Sequence, residues 1–290
     1  MTWTIVNTAT GCRNNFVDTG VANIPADIAN AVGRGEIRCP ICNRDNDFVS
    51  FNIRREFRNE NGEQRYEEGL CECELRREFW RKFCNAVPTH DRHINLKVLD
   101  SSDKSKLPRQ VQEKVIGDLK ANPDASYAFF GPAGTSKSTY TVALFSHALF
   151  KHMQNTWNIP IPLWLLNQQV AADCVWRVSA KALLEDFVAE ATGEGHPVVN
   201  RATIVKARRS GYKPCLFIEE IDKVRYSDFK TNAIFELFDA IYENEGQLVF
   251  NSNLPLPKFE ALFGEEVGPA MVRRIGEMCV GTVYDFFDAQ

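Results

Sequence analysis

From residue 108 onward the sequence predicts an α/β fold, a parallel five-stranded sheet flanked by helices, preceded by a small N-terminal domain over residues 1–107. Short apolar runs alternate with longer helical patterns, as crossover connections in a parallel sheet require. A glycine-rich turn stands directly between the first of those strands and the first long helix. The boundary falls in a polar run, Asp100 to Pro108 (DSSDKSKLP), between two differently patterned regions.

Tyr127 to Phe130 reads as the first strand and Thr139 to Lys151 as the helix behind it. Cys174 to Val178 reads as the second strand, with a helix from Ala180 to about Ala191. A basic helix, Arg201 to Arg209, precedes the most apolar strand, Cys215 to Ile218, which runs into carboxylates. In Asn232 to Tyr242, residues Ile234, Leu237, Phe238 and Ile241 recur at helical spacing. Leu248 to Phe250 and Val280 to Tyr284 complete the sheet. Asn155 to Val170, with two tryptophans, is longer than an ordinary connection, and reads as a partner-docking loop or a core-packed link.

A chain of 290 residues, 44% apolar and 25% charged, has enough material for a real core. A net charge of −4 excludes general attraction to nucleic acid, so any such contact needs a local basic patch. Apolar stretches such as Ile159 to Leu166 are short and broken by proline, so no membrane span is expected. The N-terminus lacks the charged-then-apolar run of a signal peptide, and a cytoplasmic protein is expected. Nine cysteines, an odd number, argue against a disulfide framework. Cys174, Cys215 and Cys279 stand in apolar surroundings and read as small buried hydrophobes.

Residues 131 to 138 read GPAGTSKS, in the strand–loop–helix setting that gives a phosphate-loop pattern its physical meaning. Backbone N–H groups of Gly131, Pro132, Ala133, Gly134, Thr135 and Ser136, less the proline's missing one, and of the helix start through Thr139, would face phosphates, helped by the helix dipole. Lys137 would reach the β- and γ-phosphates of ATP, and the Ser138 hydroxyl would hold Mg²⁺. Ser136 departs from the pattern, which has glycine before the lysine; weaker binding or slow turnover follows from that.

CLFIEEID, Cys215 to Asp222, has the form of a buried strand delivering acids to a metal and a water from beside the loop-bearing strand. Glu219 takes the Mg²⁺-facing place, one methylene longer than the usual aspartate, and Glu220 would polarise the water attacking the γ-phosphate. After the fourth strand, VFNSNLPL offers Asn253, or as a second choice Asn251, to sense the γ-phosphate or hold that water.

In the first region, Cys39-Pro-Ile-Cys42 and Cys71-Glu-Cys73 flank a span that could form a hairpin. Cys39, Cys42, Cys71 and Cys73 would close a tetrahedral structural Zn²⁺ site, with Cys84 or His90 as substitutes because Cys-x-Cys is a tight knuckle. The following ELRREFWRKF reads as a helix with Arg76, Arg77, Arg81 and Lys82 on one side, either a binding surface or a solvated face.

With these motifs in order, Ser126 to Phe286 resembles the AAA+ ATPases and, more narrowly, the DnaC/DnaI helicase loaders and the IstB transposition ATPases. NSNLPL is similar to that clade's sensor segment, MVRRIGEM to its arginine motif, and the cysteine segment to one that precedes the ATPase in DnaC-like loaders. The resemblance implies a P-loop AAA+ sheet with no lid domain, since only sixteen residues follow Arg274. It implies an arginine finger at Arg274, or failing that Arg273, acting on ATP held by a neighbouring copy, hence a homo-oligomer. It also implies an ATPase that assembles on single-stranded DNA and loads or remodels a replicative helicase. Arg201, Lys206, Arg208 and Arg209 are the candidates for strand contacts, through phosphates. The alternatives are an IstB-like ATP-dependent transposition regulator, which would prefer duplex DNA, and a nucleotide-binding scaffold that never hydrolyses ATP.

Overall fold

The computed structural model describes residues 82–158 and 174–287, with side chains except at 153–158, and the backbone of four strands nearer the N-terminus. The chain divides into two compact units, Met1–Asn85 with Leu149–Ala172, and Ala86–Ala148 with Asp173–Gln290.

In the first unit, β1 (Thr4–Asn7), β2 (Arg13–Asn14), β3 (Asn52–Arg58) and β4 (Gln64–Leu70) form a sheet in the order β2-β1-β3-β4. Antiparallel β3 and β4 pair from Asn52 opposite Leu70 to Arg58 opposite Gln64. A hairpin thus falls between the two cysteine pairs. Cys39, Cys42, Cys71 and Cys73, the run from 74 to 81, and residues 159–173 lie outside the described residues.

The second unit runs α1 (Arg109–Ala121), β5 (Tyr127–Phe130), α2 (Lys137–Asn158, of which the part from Leu149 is counted with the first unit), β6 (Val175–Ser179), α3 (Ala180–Thr192), α4 (Arg201–Arg209), β7 (Cys215–Glu219), α5 (Asp228–Glu243), β8 (Gln247–Ser252), α6 (Leu256–Leu262), α7 (Gly264–Met278) and β9 (Val283–Asp285). The five strands form a parallel sheet in the order β6-β7-β8-β5-β9, flanked by helices, the α/β architecture expected from the sequence. Capping explains where some helices start. Ser179 Oγ accepts from Ala182 N at the head of α3, and Asn200 with Thr203 makes a reciprocal capping box on α4.

β5 is apolar on both faces because both are covered. On one side Phe129 meets Tyr140 of α2 and Phe286, and Phe145 of α2 packs edge-on against Phe217 of β7. On the other, Phe130 packs against Phe250 and Phe259. Each of these fully buried rings contributes about 2–3 kcal/mol of burial, which pins the C-terminal strand ends where the motifs lie.

Two expectations need correction. The acid-bearing strand β7 is not beside β5, because β8 lies between them. Asn251 of β8 therefore stands between the acids and the glycine-rich turn. In addition, residues 86–107 sit in the second unit. Val87, Leu99 and Leu107 are buried, and Ser146 Oγ of α2 donates to Ile94 O at 3.0 Å. Local polarity in DSSDKSKLP concealed that packing. No helix among the described residues is long and apolar enough to cross a membrane.

Candidate functional site

The glycine-rich turn follows β5 and runs straight into α2. Gly131 N donates to Ser252 O at 3.1 Å, joining the loop to the end of β8. A side chain at Gly131 would bring its Cβ within 2.7 Å of Phe286 Cβ, so close packing on the last strand demands glycine there. Ser136 occupies the left-handed region with φ 62, a conformation costly for any residue with a Cβ. The glycine usual at that place thus has a conformational reason, which this chain forgoes. Ser136→Gly is expected to stabilise the fold by about 0.5–1 kcal/mol in urea unfolding, the αL relief less glycine's unfolded-chain entropy.

Lys137 is 6% exposed and folds back over the turn. Its Nζ donates to Gly131 O at 2.6 Å, Pro132 O at 2.8 Å and Thr135 Oγ1 at 3.3 Å. Burial pushes its ammonium down to about 8, with Asp222 pulling the other way and Lys223 adding to the fall. Ser138 is exposed at the head of α2. The ammonium therefore lies inside the cradle that the backbone makes, and the hydroxyl lies at its mouth.

The acids meet at the end of β7. Burial raises the Glu219 carboxyl, Arg177 holds it down, and the charges of Glu220 and Asp91 raise it further. Glu220 lies in the left-handed region, φ 55 and ψ 47, and is ion-paired with Lys223. Non-glycine residues held there persist where surrounding structure fixes them, often at functional sites. The fixing is visible: Glu220 N donates to Asn251 Oδ1 at 2.9 Å, and Asn251 Nδ2 donates to Thr141 Oγ1 of α2 at 3.4 Å. Asn251, 2% exposed, ties the acid turn to α2. Asn253 is half-buried, donating from N at 2.7 Å and from Nδ2 at 3.2 Å to the Asp222 carboxylate.

The sequence reading gave no role to Asp222, although it is the carboxylate whose charge is felt by Lys137. The spacing Glu-Glu-Ile-Asp could have pointed to it, because a tight turn after the strand, here Ile221–Lys223, returns the third residue towards the loop. Arg177 carried no such signal; it stands in an ordinary apolar strand.

A cavity of about 420 Å³ opens beside the loop, lined by Gly134, Ser136, Thr139 and Tyr140 on one side and by His93 and Ser102 among the residues before α1 on the other. Lys106 N donates to Gly134 O at 2.9 Å, joining the segment before α1 to the turn. The Tyr140 hydroxyl is buried with no hydrogen-bond partner among the described residues. Such a group wants a ligand or a water.

Other expected residues are engaged within the chain. Arg274 is ion-paired to Asp239 and Glu277, each at 2.6 Å, and its guanidinium sits 4.0 Å over the Tyr242 ring. Arg273 beside it is 72% exposed, with Glu277 at 3.8 Å. In α4, Arg201, Lys206, Arg208 and Arg209 are all exposed, and Arg201 pairs with Glu243 and Arg208 with Glu245. His90 pairs with Asp91 at 3.3 Å.

No family model matches the chain, and no curated protein matches it by sequence. Solved structures do. AMPPCP-bound DnaA from Aquifex aeolicus matches over 69% of this chain and 50% of its own, at 14% identity and TM-score 0.41. The DnaC helicase loader matches over 66% of this chain and 96% of its own, at 16% identity and TM-score 0.44. DnaA bound to AMPPCP and single-stranded DNA matches over 67% of this chain and 49% of its own, at 14% identity and TM-score 0.39. The chain spans about half the length of these DnaA chains.

Proposed function

We propose that this chain is an ATP-binding, ATP-hydrolysing AAA+ protein that oligomerises on single-stranded DNA and loads or remodels a replicative helicase. One observation supports the nucleotide step above all: a buried ammonium inside a glycine turn at a helix start, with three carboxylates gathered on the strand end across β8. The donor set suits a magnesium–triphosphate. The ammonium and loop N–H groups take phosphate charge, Ser138 and Glu219 supply hard oxygen ligands, and the neighbouring cavity admits the nucleoside. When bound, magnesium would neutralise phosphate charge developed on transfer. Glu220 acts as base for the attacking water, held by Lys223 and by the Asn251 bridge. Asn253 relays the state of the phosphates to Asp222 through its hydrogen bonds to that carboxylate. The zinc site on Cys39, Cys42, Cys71 and Cys73 remains part of the proposal on its sequence pattern alone.

For the trans arginine, exposure favours Arg273 over Arg274. Arg274→Ala is expected to lower stability by about 1–3 kcal/mol by losing two ion pairs and a ring contact. Arg273→Ala is expected to leave unfolding unchanged while reducing turnover of the assembled protein by about 10³-fold. Comparing denaturation with turnover for both variants separates anchor from finger.

For DNA, Lys206 and Arg209 are the better candidates, since Arg201 and Arg208 are engaged with Glu243 and Glu245. Reversing Lys206 and Arg209 to glutamate is expected to weaken single-strand binding and flatten its salt dependence by about 1.4 in log–log slope, the value for two phosphate contacts. Unchanged binding by fluorescence anisotropy removes α4 from the interface, and a preference for duplex favours the transposition-regulator reading.

A further inference from the structure

Glu219 and Arg177 belong to neighbouring strands, with Arg177 registered opposite Phe217 and Ser179 opposite Glu219. Phe217 packs on Phe145 of α2. Because side chains alternate along a strand, Glu219 and Arg177 share the sheet face on which the P-loop helix lies. Arg177 Nε and Nη2 both donate to a single oxygen, Glu219 Oε1, at 3.1 and 2.5 Å. Its remaining Nη1 donates to Ala86 O, in the segment that leads to Asp91. The guanidinium side chain is 9% exposed.

This arrangement divides the carboxylate. Oε1 is held by two donors, whereas none among the described residues reaches Oε2. A glutamate here is one methylene, about 1.5 Å, longer than an aspartate and needs something to fix where its end lies. Arg177 supplies that fixing from the side, and its charge offsets the crowding of Glu219 by Glu220 and Asp91.

We infer that Arg177 is a positioning residue for the divalent-cation subsite, gripping Glu219 by Oε1 so that Oε2 serves as ligand to magnesium or to a water on it. The inference rests on the proposed nucleotide site and explains why that site functions with glutamate where a shorter acid is usual. An aspartate at 219 would fall short of Arg177, so the two residues work as a pair.

The test is a magnesium titration of the binding of a fluorescent, slowly hydrolysed ATP analogue to the full chain, in wild type, Arg177→Gln, Glu219→Asp and the double variant. Arg177→Gln is expected to raise the magnesium concentration for half-maximal effect by about tenfold or more, the usual loss when a residue orienting a metal ligand is removed. Binding without magnesium should stay within about twofold, and Arg177→Gln should add less than about twofold in the Glu219→Asp background, where the partner is already lost. If circular dichroism shows Arg177→Gln to be unfolded, Arg177→Lys decides on the same criteria, with an expected shift of about threefold or more, because ammonium lacks the guanidinium's fork. Equal losses with and without magnesium, an unmoved magnesium requirement, or the same Arg177 effect in both backgrounds would overturn the inference. A wild type that binds the analogue with no magnesium dependence overturns it alone; one that does not bind the analogue at all removes the nucleotide site as well.

Discussion

Replacing Lys137 with alanine is expected to weaken nucleotide binding by about a hundredfold or more, since a charge-assisted contact to phosphate is worth about 1.5–3 kcal/mol and the turn also loses its filler. The loss should fall on affinity and not on folding. The ammonium's three contacts are with the carbonyls and hydroxyl of the turn itself, and no other element depends on them. A pH dependence goes with it. Burial sets the ammonium's pKa at about 8 in the free chain, and phosphate stabilises the charged form. Binding therefore takes up a proton above that pH. Affinity should be flat below pH 8 and fall as pH rises through it, approaching tenfold per unit, and Lys137→Ala should abolish that slope. Fluorescence titration of a slowly hydrolysed ATP analogue between pH 6 and 10, in both proteins, checks both points.

Glu220→Gln carries the second large effect. Turnover should fall by about 10²–10⁴-fold, the range for removing a positioned base, while analogue affinity stays within about threefold. The residue's left-handed backbone and its N–H bond to Asn251 are retained by glutamine, so the variant tests chemistry and not architecture. If wild type is as inert as this variant, the chain is a nucleotide-binding scaffold. One observation gives that reading substance: Ser136 stands in a glycine conformation.

The parts of the fold legible in the sequence were those where local pattern and tertiary role coincide. β5, β7 and β8 are buried on both faces and carry apolar runs (Tyr127 to Phe130, Cys215 to Ile218, Leu248 to Phe250), and α4 matches its residue bounds because a cap marks its start and basic residues its end. Legibility failed where packing overrode composition. The strap from Ala86 to Leu107 is polar in sequence yet buries Leu96, Leu99 and Leu107 and forms one wall of the cavity. Strand order was likewise invisible. Nothing in Leu248 to Phe250 says that it inserts between β5 and β7, and its consequence, Asn251 bridging Glu220 and Thr141, follows only from that insertion. Lys137, Ser138, Glu219 and Glu220 could be singled out in the sequence because the proposed chemistry demands those types at those spacings. Asp222 and Arg177 were not, since their roles depend on the turn after β7 and on cross-strand register.

The most direct trial of the nucleotide site is photo-crosslinking of an azido-ATP, carried on the base, to the full chain with magnesium, followed by peptide mapping. The expected result is saturable labelling, competed by ATP, on the peptides that line the cavity beside the loop, between His93 and Tyr140. Labelling that ATP does not compete, or that falls on other peptides, would contradict the placement of a nucleotide against Lys137.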